Sequence, residues 1–76
     1  MIREDTVEIN TEFIRLDNMM KLAGMVDTGG MAKSVIQAGM VKVNGETCTM
    51  RGKKMRDNDY FEFDDNKVTL KSSFNA

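Results

Sequence analysis

The order of elements predicted between residues 14 and 45 constrains the fold most, because two amphipathic helices lead directly into a tight hairpin. In two stretches, apolar residues recur at the spacing of successive helical turns, which is typical of helices that bury one face. The first stripe consists of Leu16, Met19, Met20 and Ala23, and the second of Ala32, Val35, Ile36 and Gly39. The chain then reads Val41-Lys42-Val43-Asn44-Gly45, which predicts a strand entering an Asn-Gly turn.

Residues at the ends of the two stripes predict where the helices begin and end. Helix one should begin near Leu16 and end at Gly24. Asp17 lies in its first turn, where a carboxylate favours the helix dipole and can pair with Lys21 one turn later. Helix two should begin after Thr28, which can cap it, and end at the glycine that closes the second stripe.

An Asn44-Gly45 turn also fixes the register of the hairpin. Val43 then faces Glu46, and the next pair outward is Val41 with Cys48. Because side chains alternate along a strand, Cys48 is expected to be a core thiol on the apolar face. That face should carry Val41, Val43, Cys48 and Met50, with Glu46 at its turn end, and the other face Lys42, Thr47 and Thr49.

Beyond the hairpin, two acidic turns separate two further strands. Residues 51–56 form a basic loop, and Asp57-Asn58-Asp59 then leads into a strand over residues 60–63. The second turn, Asp64-Asp65-Asn66, leads into a short final strand over residues 67–70. At least two of the three aromatic residues in the first of these strands should belong to the core.

These elements predict an α+β fold, with two helices packed on a small, mostly antiparallel sheet that contains the hairpin. A chain of 76 residues allows one domain. We expect that domain to span residues 6–70, between disordered ends at residues 1–5 and 71–76.

The residue inventory disfavours catalysis and metal binding. The chain has no His and a single Cys, so neither a disulfide framework nor a common zinc site is available. The paired carboxylates lack the spacing of a calcium loop, and turn chemistry explains them more simply. We therefore expect no enzyme activity, no cofactor and no metal.

The sequence also predicts a cytoplasmic protein. No stretch approaches the roughly 18 apolar residues of a membrane span, and residues 1–12 lack the apolar core of a signal peptide. A lone thiol fits a reducing compartment. We expect no membrane partner and a monomeric protein.

Basic charge is concentrated in the middle of the chain, although the net charge is −1. Residues 31–56 contain six basic residues and one acidic residue, whereas the segments on either side are both acidic. Because charges are screened beyond about 8 Å at physiological salt, a partner responds to this local patch more than to the total. The basic residues of the segment are Lys33, Lys42, Arg51, Lys53, Lys54 and Arg56.

The same region resembles a known family, the RNA-binding domain named after small-subunit ribosomal protein S-four (the S4 domain). The residues that carry the resemblance are Arg15-Leu16-Asp17, Ala32-Lys33, Ile36, Gly39, Val41 and Val43-Asn44-Gly45. It covers about residues 11–63 and is strongest to the small free-standing bacterial proteins of the YaaA type. The resemblance implies an alpha-L RNA-binding motif and binding of structured RNA.

Residue by residue, the resemblance implies RNA contacts from Arg15, Thr28, Lys33, Lys42 and Asn44-Gly45. Arg51, Lys53, Lys54 and Arg56 join this set because of their charge. Many S4 domains carry Ser-Arg where this chain has Thr28-Gly29, so one arginine contact is missing. Binding should then lean on the backbone amides of Gly29 and Gly30 at the start of helix two, or be weaker.

Each of these assignments has a structural alternative. Arg15 can be an ion-pair partner of an acidic neighbour, and Asn44 can serve only the positive φ angle of its turn, which is the favoured role. Thr28-Gly29-Gly30 can be a plain helix cap, and the lysines can be solvated surface charges.

The function predicted from these residues is non-catalytic binding of structured RNA, with ribosomal RNA or a ribosomal particle as the target. The alternative is a protein-interaction module whose basic loop docks on an acidic partner. A targeting domain detached from a modifying enzyme is a third possibility, which a chain beginning at Met1 disfavours.

Overall fold

A computed structural model describes residues 2–74 of the chain and confirms the α+β fold. Both helices begin where the sequence predicts, and Gly24 and Gly39 follow them with φ angles of +76° and +78°. The Thr28 hydroxyl caps the second helix by accepting a hydrogen bond from the Met31 amide at 3.1 Å. The described elements are β1 (Arg3–Ile9), β2 (Ile14–Arg15), α1 (Leu16–Leu22), α2 (Gly29–Gln37), β3 (Lys42–Val43), β4 (Glu46–Thr47), β5 (Lys54–Met55), β6 (Tyr60–Phe63) and β7 (Asn66–Ser72).

The strands form one five-stranded sheet and one short ribbon. The sheet has the order β1-β7-β6-β3-β4, and it is antiparallel except where β1 runs parallel to β7. The ribbon consists of β2 and β5, which pair antiparallel beside α1.

Residues from both helices and from one face of the sheet share a single core. Phe61 is its largest fully buried side chain, and Phe63 packs against it, as the sequence predicts for two of the aromatic residues. The buried members are Val7, Leu16, Met19, Met20, Val26, Ala32, Ile36, Val41, Val43, Met55, Phe61, Val68 and Leu70.

The opposite face of the five-stranded sheet, called the sheet face below, is polar and electrically balanced. Acidic and basic side chains alternate across its strands, which avoids like charges in direct cross-strand contact. The register places Lys42 beside Glu62, Glu62 beside Lys67, Lys67 beside Glu4, and Lys71 beside Glu8.

The hairpin keeps the predicted register, but its apolar face is shorter than predicted. Val43 pairs with Glu46, and the Cys48 amide donates to the Val41 carbonyl at 2.9 Å. Cys48 packs against the core but is only partly buried. Met50 is 66% exposed, so the predicted place of Met50 on the apolar face is wrong. β4 ends at Thr47, and after the Cys48 amide the chain leaves the hairpin, so side chains no longer alternate between two faces.

The predicted basic loop over residues 51–56 contains a strand. Its Lys54–Met55 segment is β5, and Met55 is fully buried. Met55 is the one apolar residue among charged neighbours in this segment, so the sequence shows no alternating pattern that would predict a strand. The strand is defined by its pairing with β2.

The ends are more ordered than predicted. Within the predicted disordered residues 1–5, β1 begins at Arg3, and β7 continues past residue 70 to Ser72. Parallel pairing along seven positions holds both ends, and the Ser73 amide donates to the Ile9 carbonyl at 2.9 Å. Residues 1, 75 and 76 lie outside the described residues.

The turn at Gly45 yields a prediction about stability. Gly45 has φ +89°, and an L side chain there is strained by about 1–2 kcal/mol. Gly45→Ala should therefore lower the free energy of unfolding by that amount. Gly29→Ala is the matched control, because an added Cβ meets nothing within 4 Å and the φ angle is ordinary. The control should be neutral or stabilising by about 0.4–1 kcal/mol. Chemical denaturation checks both, and equal midpoints would contradict the assigned turn.

Candidate nucleic-acid interface

The ribbon formed by β2 and β5 presents one apolar side and one basic side. Ile14 pairs with Met55, and both pack on the core. Arg15 pairs with Lys54, so these two side chains lie on the opposite, outer side. Because side chains alternate along a strand, Phe13, two residues before Arg15, and Arg56, two residues after Lys54, lie on the same side. We call the outer side, which consists of Phe13, Arg15, Lys54 and Arg56, the ribbon face.

An aromatic ring lies at the centre of the ribbon face. The Lys54 Nζ is 4.9 Å from the centroid of the Phe13 ring, and the Arg56 guanidinium carbon is 5.7 Å from it. Both distances are those of cation–π contacts. Arg56 also pairs with Glu12 at 3.2 Å, in an exposed ion pair.

A buried carboxylate fixes two arginines beside the ribbon face. Asp17 Oδ2 accepts from Arg15 Nη2 at 3.2 Å and from Arg51 Nε at 3.1 Å. The Asp17 side chain is 4% exposed, whereas the two arginines are 48% and 39% exposed. Hydrogen bonds within residues 2–74 use one nitrogen of each guanidinium, so the other two nitrogens of each remain for a ligand. We call Arg15 and Arg51 the arginine pair.

The predicted ion pair between Asp17 and Lys21 is wrong. The loop after the hairpin crosses the start of α1, where the Asp17 amide donates to the Arg51 carbonyl at 3.1 Å. This contact brings Arg51 within reach of the carboxylate. The structural alternative considered for Arg15, an ion pair with an acidic neighbour, is therefore observed.

Lys53 connects the ribbon with the hairpin. Its carbonyl accepts from the Leu16 amide at 2.9 Å, which ties the loop to α1. Its exposed side chain lines an open groove of about 470 Å³. The other lining residues are Val43, Asn44, Glu46, Thr47, Cys48, Thr49 and Met50.

Asn44 has a structural role at the hairpin tip. Its φ angle is +51°, as a turn with two positive φ angles requires. Its Nδ2 donates to Asp59 Oδ1 at 3.1 Å, and its Oδ1 accepts from the Tyr60 amide at 3.1 Å. The side-chain amide thus fastens the hairpin to β6, a structural role in addition to the positive φ angle that the favoured alternative assigned to it.

The remaining predicted site residues lie on other elements. Thr28, Gly29, Gly30 and Lys33 belong to the start of α2, where Gly29 faces open space and neither glycine amide donates a hydrogen bond within residues 2–74. Lys42 lies on the sheet face beside Glu62, so an acidic neighbour offsets its charge.

The structure therefore gathers part of the predicted set and adds residues that sequence reasoning missed. Arg15, Arg51, Lys54 and Arg56 meet at the ribbon, whereas the others lie at α2, on the sheet face, at the hairpin tip and, for Lys53, on the loop between ribbon and hairpin. Phe13 and the central role of Asp17 were not predicted. The signal for Phe13 was its position two residues before Arg15, which places both on one face of a strand.

Among residues 2–74, no group of three or more His, Cys, Asp or Glu side chains is arranged to hold a metal ion. The helices described within the same residues are too short to cross a bilayer.

Comparison with known proteins relates the chain to a family and to a similar protein. The family model of the S4 domain matches residues 7–71. A similar protein is the "probable ribosome maturation protein RlbA" of Bacillus subtilis (strain 168), which is 38% identical over 58 residues. The match covers 76% of this chain and 82% of that protein.

The buried carboxylate yields a prediction about stability. Asp17→Ala removes two charged hydrogen bonds and should lower the free energy of unfolding by about 1.5–3 kcal/mol. Glu12→Ala removes an ion pair whose partners are both more than half exposed, and should cost about 0–1 kcal/mol. Thermal melts of both variants make the comparison. Equal melting temperatures would show that the carboxylate does not organise the loop.

Proposed function

Because this chain belongs to the S4 domain family, we propose that it binds structured RNA. In this proposal the protein has no catalytic activity, and its target is ribosomal RNA or a ribosomal particle. The name of the Bacillus subtilis relative, a probable ribosome maturation protein, supports the ribosomal target.

The arginine pair beside the ribbon face is the observation that carries the proposal. RNA phosphates are bound best by cations whose spacing is fixed before the ligand arrives, because less side-chain entropy is then lost. The Asp17 carboxylate supplies that fixation for Arg15 and Arg51. Lys54 and Arg56 extend the positive surface along the ribbon.

The sheet face is a poor candidate for the same role. Its lysines each lie beside a glutamate in the neighbouring strand, so its potential is close to neutral. We accordingly place the RNA at the ribbon and the loop, with Lys53 extending the contact towards the hairpin.

A secondary contact is proposed at the start of α2. The amides of Gly29 and Gly30 donate no hydrogen bond within residues 2–74, and Lys33 lies one turn later. Backbone amides can bind a phosphate at a helix N-terminus without a side chain. They would replace the arginine that many S4 domains have at the position of Gly29.

We also propose that the protein acts as a monomer in the bacterial cytoplasm. The exposed edge of β1 is seven residues long and strongly charged. Antiparallel pairing of two copies centred on Thr6 would place Glu4 of one copy opposite Glu8 of the other, and like charges in that position are destabilising.

A pair of charge-reversed variants tests the proposed surface. Lys53→Glu with Lys54→Glu should lower affinity for ribosomal RNA by about tenfold or more, because attraction near phosphate becomes repulsion. The salt dependence of binding should also become shallower, by about one unit of log–log slope for each lost phosphate contact. RNA titrations at several salt concentrations measure both quantities.

The matched control is Lys67→Glu with Lys71→Glu, which changes the net charge equally on the sheet face. It should bind almost normally, and thermal melts should show both variants folded. Equal loss of affinity in the two variants would mean that binding follows overall charge. Competition by polyglutamate as strong as that by RNA would favour an acidic protein partner instead.

A further inference from the structure

We propose that Phe13 is a stacking site for an unpaired RNA base, with Lys54 and Arg56 placed to hold the phosphates on either side of that base. The inference rests on the proposed function and deepens it, since it names the part of the RNA that this surface takes.

The first observation is where the ring lies. Phe13 directly precedes β2 and alternates with Ile14, which packs on the core. Phe13 is partly buried but is absent from the apolar side chains that pack against the core within residues 2–74. The residues over its ring are instead two cations, Lys54 and Arg56.

The second observation is the contrast with the other aromatic side chains. Phe61 is fully buried, and Phe63 packs against the core. Tyr60 lies under the Lys67 ammonium at 4.5 Å, but on the balanced sheet face. Among residues 2–74, Phe13 is the aromatic ring over which the cations of the ribbon face lie.

This combination of ring and cations suits a nucleotide. Every base has a π-face that stacks on an aromatic ring, and each such contact contributes about 1–3 kcal/mol to binding. Long cationic side chains that lie over the ring can turn to the adjoining phosphates while the base takes their place on the ring. Bases inside an A-form duplex are already stacked, so the base must come from a loop, bulge or single-stranded end.

Two RNA probes separate this role from simple charge attraction. One is a blunt RNA duplex, and the other is the same duplex with a short single-stranded extension that carries the fluorescent base 2-aminopurine. The wild-type protein should bind the extended duplex more tightly and quench the 2-aminopurine, because stacking quenches its fluorescence. This measurement needs no variant, so it does not depend on the folding of a mutant.

Phe13→Leu should lower affinity for the extended duplex by about 5- to 150-fold and abolish the quenching. Affinity for the blunt duplex should be unchanged. Phe13→Trp should retain both binding and quenching, because it keeps an aromatic face. Phe74→Leu is the matched control, since Phe74 is 45% exposed and lies outside the ribbon face, and it should behave as wild type. Thermal melts accompany each titration.

Several outcomes would overturn the inference. Equal binding of the two probes by the wild type, without quenching, means that no base stacks. An equal loss on both probes in Phe13→Leu means that the ring only supports the cations. If Phe13→Leu keeps wild-type affinity for ribosomal RNA, the stacking site is wrong but the proposed function stands. If the wild type binds neither probe nor ribosomal RNA, both fail.

Discussion

The hydrogen bonds that Asp17 Oδ2 accepts from Arg15 and Arg51 are the interaction on which the proposed RNA-binding surface depends. The two arginines are far apart in the sequence, and one buried carboxylate holds both at about 3 Å. Two guanidinium groups this close would otherwise repel each other. The carboxylate offsets that repulsion and leaves the outer nitrogens of each group free to meet a phosphate.

The rest of the surface is organised around this contact. The loop after the hairpin must cross the start of α1 to deliver Arg51, and its backbone bonds to Leu16 and Asp17 secure that path. The same path pairs β5 with β2 and buries Met55, which turns Lys54 and Arg56 outward. The burial of Met55 thus determines where the basic side chains of the ribbon face lie, while acidic and basic residues balance each other on the sheet face.

Local pattern was enough to predict both helices, the hairpin register and the α+β fold, because each follows from the spacing of nearby residues. The Thr28 cap and the glycine after each helix could be predicted in the same way, from neighbouring residues in the sequence. The ribbon could not be predicted in this way. Its strands are two residues long, and each is defined only by its partner some 40 positions away.

The candidate site could be predicted only in part, from the clustering of basic residues along the sequence. Clustering of basic residues identified the segment, but it did not show which of them meet. Lys42 and Lys54 look equivalent in the sequence, yet one lies beside Glu62 and the other over Phe13. The disorder predicted for residues 3–5 is wrong for a similar reason, because the strand that pairs with β1 comes from the far end of the chain.

Lysine footprinting with ribosomal RNA would locate the interface most directly, since the chain carries lysines on both surfaces. Acetylation of each lysine, measured by mass spectrometry with and without RNA, compares them within one molecule. RNA should protect Lys53 and Lys54 and leave Lys67 and Lys71 as reactive as in the free protein. Protection of Lys67 and Lys71, with Lys53 and Lys54 unchanged, would contradict an RNA interface at the ribbon.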